Sequence, residues 1–88
     1  MEENQKEIDK KFKQKRKEIE QEYKKIKNKM VVPEYTVIIL ENIIQLYNEL
    51  YQIKPPKAGD KAMFSMLKIQ YKTMCALTRH KKNERILK

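Results

Sequence analysis

Chemistry at a protein site needs groups that converge, and this 88-residue chain has few that could. It holds one histidine, His80, and one cysteine, Cys75. No His or Cys pair stands at metal-ligand spacing, no glycine-rich loop could cradle a phosphate, and no Ser, His and acid form a candidate triad. A non-enzymatic protein without metal or cofactor is the expectation. Cys75 falls at the edge of an apolar helical arc, where a small buried thiol is expected, since a reactive one would need a thiolate-stabilising pocket. His80 lies within RHKKNERILK and is expected to be a solvated member of that basic cluster.

What the chain does concentrate is positive charge, and unevenly. The formal net charge is +9; residues 1–30 carry +4, residues 31–56 carry −2 and residues 57–88 carry +7. Lys61, Lys68, Lys72 and Arg79 recur at spacings of seven, four and seven, which puts them on one line of a helix. Lys81, Lys82, Arg85 and Lys88 follow. Cations at one-turn and two-turn steps, roughly 6 and 10 Å along the axis, can follow a phosphate backbone. A lysine-rich helix face that is merely solvated would look the same. What favours binding is the shortage of acids: after residue 56 only Asp60 and Glu84 oppose the field. No aromatic residue stands inside the cluster, so shape and charge, rather than base stacking, would dominate recognition.

These residues need elements to position them, and composition points to helices. Glycine occurs once and proline three times, while Lys, Glu, Gln, Ile, Leu and Met dominate. A first helix is expected over 3–31. Its heptad seam places Phe12, Ile19 and Ile26 at d and Asp9, Arg16, Tyr23 and Met30 at a, so it is apolar only in its C-terminal half. The spacing predicts a helix docked late and free early. Glu7 with Lys11, Asp9 with Lys13 and Glu20 with Lys24 add four-residue ion pairs that support it. Pro33 and Pro55-Pro56 bracket a second helix over 34–53. Eleven of its apolar residues, from Tyr35 to Ile53, fill an arc of somewhat over half the circumference; Asn48, Glu41, Gln52, Gln45, Glu49 and Asn42 form the remaining strip, with Ile38 out of place. A surface helix buries a stripe little wider than about 100°. This one must therefore be central, packed between the other two.

A third helix is expected over 60–82, with Asp60 as N-cap and a core arc of Met63, Phe64, Met66, Leu67, Tyr71, Met74 and Leu77. The cation row then points the opposite way, and 83–88 form a basic tail. The fold class is all-α: a three-helix antiparallel arrangement in one domain, with a buried central helix and a long, partly overhanging N-terminal helix of about 40 Å against about 30 Å for the second. An overhang bearing Ile8, Phe12 and Arg16 could serve as a coiled-coil arm for a protein partner or for self-association. The apolar block cannot cross a bilayer, because Glu41, Asn42, Asn48 and Glu49 interrupt it. The unpaired cysteine and the acids at Glu2, Glu3, Glu7 and Asp9 speak for a reducing, intracellular setting, cytoplasmic or organellar matrix, with no cleavable targeting segment.

Two resemblances are carried by short stretches. Leu46-Tyr47-Asn48 is similar to the Leu-Tyr-Arg motif of small mitochondrial assembly factors, but the arginine is missing and the motif sits mid-chain, which sets that family aside. From Glu34 onward the plan resembles the small-subunit ribosomal protein fifteen family: EYTV stands where that family often has Glu-x-Gln-Val, and MCALTRHKKNER resembles its Leu-Leu-x-Tyr-Leu stretch followed by lysines. The resemblance implies RNA binding within a ribosome. Where the family's loop usually carries His and Asp for RNA contact this chain has IKPPKAGD, and the closing helix is absent, so no functional residue carries over. The expected function is binding of structured RNA as part of a ribonucleoprotein, through Lys61, Lys68, Lys72, Arg79, Lys81, Lys82, Arg85 and Lys88. The alternative is a protein-binding adaptor or assembly subunit that uses the first helix.

Overall fold

The computed structural model describes residues 5–28 and 33–87. It contains three helices, α1 (Gln5–Asn28), α2 (Pro33–Ile53) and α3 (Ala58–Thr78), and a short 3-10 turn at Glu84–Leu87. Among the described residues there is no strand. Expected residues 3, 4 and 29–31 of the first helix lie outside the described residues, as does Met30 of its seam.

Backbone chemistry explains where α2 and α3 begin and end. Pro33 opens α2 at the position where its missing N–H costs nothing. Lys54 N–H still bonds Leu50 C=O at 3.1 Å, and then Pro55 and Pro56 forbid another turn. Asp60 is not the N-cap. The helix starts two residues earlier, and the Asp60 carboxylate reaches back from its first turn to accept the Lys57 N–H at 3.4 Å. A lysine has no acceptor to return that bond, so only half of a capping box forms. α3 also ends at Thr78, four residues short of the expected boundary. Arg79 takes the left-handed conformation, φ 57° and ψ 27°, and His80 N–H closes onto Cys75 C=O at 3.0 Å.

α2 is the middle helix. It supplies Val37, Ile39, Leu40, Ile43, Ile44, Tyr47 and Leu50 to a core completed by Ile19 of α1, by Leu67, Tyr71 and Cys75 of α3, and by Ile86 of the C-terminal turn. α1 lies along one flank and α3 along the other, and among the described residues the two share at most a marginal contact. Tyr35, expected at the edge of the buried arc, is exposed; Ile38 is exposed, as its odd position suggested.

α1 is held earlier than its seam implies. Lys54, just beyond the end of α2, donates to Asp9 Oδ1 at 2.7 Å, and the same ammonium lies 4.9 Å from the Phe12 ring centre. Lys15 donates to Glu49 Oε2 at 2.6 Å. Phe12 packs against the core. The expected free N-terminal half is thus corrected: among the described residues, the turn at residues 5–8, about 6 Å of helix, precedes the contact of Asp9 with Lys54. The reason is that Lys54 and Glu49 of α2 supply partners that α1's own pattern does not reveal.

α3 is rotated about its axis by roughly 60° from the expected orientation, counting about 100° per residue. Its inner face is Phe64, Leu67, Tyr71, Met74, Cys75 and Thr78, whereas Met63, Met66 and Leu77 of the expected core arc are exposed. Cys75 is buried at the edge of this face, and Tyr71 lies nearer its centre.

Two substitutions test this packing. Ile43→Ala removes a side chain with no exposed surface and should cost about 2–5 kcal/mol in urea unfolding. Arg79→Gly relieves a left-handed non-glycine residue and should raise stability by about 1 kcal/mol; a lowered urea midpoint would contradict the cap assignment.

Candidate nucleic-acid interface

The end of the chain does not extend the basic row as a tail. After Arg79 it turns back, and residues 80–87 form a strap across α2 and α3. Glu41 of α2 anchors it. Glu41 Oε1 accepts the Tyr71 hydroxyl at 2.6 Å and lies 2.9 Å from His80 Nε2. Tyr71 Oη in turn accepts the Asn83 N–H at 2.8 Å. Asn48 Nδ2 donates to Ile86 C=O at 3.1 Å, and the Ile86 side chain is buried. Burial, and then the hydrogen bond to Glu41, push the Tyr71 phenol well above its ordinary range, so it stays a neutral donor to the carboxylate. His80 is therefore a half-buried partner of Glu41, not a solvated member of the cluster. The expected basic tail at 83–88 is corrected in the same way, with Lys88 outside the described residues.

The strap rearranges the cations. Lys61, Lys72 and Arg79 are exposed and lie on one line of α3, roughly 80° from the centre of its buried face at about 100° per residue, rather than opposite it. Lys68 shares that line but is half-buried, with its ammonium 4.4 Å from the Phe64 ring centre. Lys81, Lys82 and Arg85 are exposed on the strap. Lys72 and Lys82 line one shallow depression together with Glu84 and Leu87, so residues ten apart in sequence meet at one place. Among the described residues no ion pair engages Lys61, Lys72, Arg79, Lys81, Lys82 or Arg85. The candidate arm residues are elsewhere. Ile8 is half-buried, Phe12 packs on the core, and the Arg16 guanidinium lies 5.5 Å from the Phe12 ring centre.

Between α2 and the strap lies a second depression, of about 620 Å³, lined by Gln45, Asn48, Tyr51, Gln52, Asn83 and Arg85. Sequence reasoning placed Gln45, Asn48 and Gln52 on a solvated strip and did not single them out. The available signal was Ile86-Leu87, an apolar pair in a basic segment, which needed somewhere to bury. Four amides and one guanidinium offer donors and acceptors beside the cations of the strap.

Adjoining this depression, and sharing Tyr51 with it, an aromatic cluster joins α2 to α3. Tyr47, Tyr51 and Phe64 have ring centres 5.4–5.8 Å apart, tilted or edge-on. Tyr23 shares a hydrogen bond with Tyr47, and burial pushes its phenol up to about 12. Burial also raises Tyr47 and Tyr51. No group of three or more His, Cys, Asp or Glu among the described residues could hold a metal ion, and none of the described helices is long and apolar enough to cross a membrane. Compared with family models, curated proteins and solved structures, the chain finds no match.

The tyrosines give a pH test. With the folded phenols ionising above the unfolded value near 10, the unfolded chain loses its protons first as pH rises. Stability from these groups is complete below about pH 10 and is lost as pH climbs toward the folded value of about 12 for Tyr23. Tyrosinate absorbance and loss of helical circular dichroism should therefore rise together above pH 10. Full tyrosinate absorbance with the helix signal intact would contradict the burial.

Proposed function

We propose that the chain is a non-enzymatic subunit of a ribonucleoprotein that binds structured RNA across the strap and the adjoining edge of α3. The observation that carries this reading is the fold-back of the C-terminus. It sets Lys82 beside Lys72 and places Arg85 over an amide-lined depression; of the acids nearby, Glu41 is engaged by Tyr71 and His80 and Asp60 serves the start of α3, which leaves Glu84 beside the two lysines. Lys61, Lys72, Arg79, Lys81 and Lys82 supply phosphate contacts along two converging lines, with Lys68 as a half-buried member. Phosphate contacts position a nucleic acid without specifying it. The amides of Gln45, Asn48, Gln52 and Asn83, with Arg85, are the groups suited to 2′-hydroxyls and base edges. The resemblance from Glu34 onward to a ribosomal protein family points the same way. The adaptor reading through α1 has less support, because Phe12 and Asp9 are engaged by the protein's own core and Lys54.

Binding of an RNA stem-loop, followed by fluorescence anisotropy, should weaken by roughly 10²- to 10³-fold between 50 and 200 mM salt, as expected for about five neutralised phosphates. The triple reversal Lys72→Glu, Lys82→Glu and Arg85→Glu should abolish most of the affinity. Reversing Lys10, Lys17 and Lys24 on α1 changes the net charge equally and should cost far less; equal losses would mean that overall charge, not this surface, attracts the RNA.

A further inference from the structure

The side of α3 that the fold turns outward carries large aliphatic residues. Met63 is 40% exposed, Met66 61%, Ile69 62% and Leu77 73%. Between them, Thr73 Oγ1 is tied back to Ile69 C=O at 3.0 Å, which leaves its methyl group on the surface. Met63 to Leu77 spans about four turns, or roughly 21 Å of helix. The exposed apolar area, on the order of 400 Å², matches the largest patches of monomeric proteins, which are commonly functional. The α1 and α2 helices do not cover it, because α3 already spends its opposite face on α2.

We propose that this face docks an acidic amphipathic helix of a partner protein. The apolar residues recur at three- and four-residue steps, the pattern that seats a helix laid alongside, and methionine adapts its shape to such a partner. Charge chooses among occupants. One edge of the stripe is bordered by Lys61, Lys72 and Arg79, and α3 carries no acid after Asp60 in its first turn. A partner helix with Leu-type anchors and Glu or Asp along one edge meets both features. A second copy would set two such cation rows, each in a segment of charge +7, against each other. A helix lying in an anionic membrane carries cations along its whole polar face, but that face of α3 is packed on α2 and cations border the stripe on one side only. Because Lys61, Lys72 and Arg79 border both this stripe and the strap, the partner helix and the proposed RNA would compete for that edge.

The test uses the full chain and an 18-residue synthetic helix with Leu at one, four, five and eight of its turn pattern, Glu along one edge of that stripe, and Ala and Gln elsewhere. Fluorescence anisotropy should show saturable one-to-one binding. Ile69→Ser with Leu77→Ser should weaken it at least about tenfold with helical circular dichroism unchanged, as both sites are exposed. Met66→Ser alone is the fallback variant and should weaken it about threefold or more. Lys82→Glu with Arg85→Glu, which damages the RNA surface, should change peptide affinity by less than about threefold, so failure of one proposal is distinct from failure of the other. Equal binding of the peptide with Lys in place of Glu would overturn the charge argument. Concentration-dependent dimerisation lost in Ile69→Ser, or binding to phosphatidylserine vesicles without binding to the peptide, would overturn the proposal in favour of a second copy or a membrane.

Discussion

A helix whose apolar residues cover more than half of its circumference cannot be shielded from water by one neighbour, and α2 is such a helix. That constraint puts α1 on one flank and α3 on the other, and it keeps those two helices from packing on each other. Their remaining surfaces are consequently free to carry charge and apolar groups that the core does not need. The Lys54 and Glu49 contacts then orient α1, although pairs this exposed add direction more than stability.

A single carboxylate sets how α3 is turned. Glu41 stands on the polar strip of α2, yet it draws in the Tyr71 hydroxyl and His80, and Tyr71 passes the bond on to the strap. A carboxylate accepting two close donors at a partly buried place is costly to leave unpaired, so α3 rolls to satisfy it. The roll exposes Met66 and Leu77 and swings the cation row from the far side of α3 to the edge beside the strap. RNA surface and apolar face, as proposed, are two results of one rotation.

The same reasoning shows why the candidate site was only partly legible in advance. The row of Lys61, Lys72 and Arg79 was visible because helical spacing alone aligns it. The meeting of Lys72 with Lys82 was invisible, because it depends on a left-handed turn at Arg79, a residue type that does not advertise that conformation as glycine would. Gln45, Asn48 and Gln52 looked like ordinary solvent-facing residues until the strap laid Asn83 and Arg85 across from them.

Periodicity and proline placement in the sequence by themselves determined the all-α class, three helices with α2 at the centre, and most of the residues α2 buries, since these follow from local backbone preference and the width of one apolar arc. Tertiary structure alone decided how far α1 docks, which side of α3 faces inward and where the C-terminus lies. Each of those depends on a polar side chain finding a partner 30 or more residues away, at Glu41, Glu49 and Lys54, and no local pattern records such a meeting.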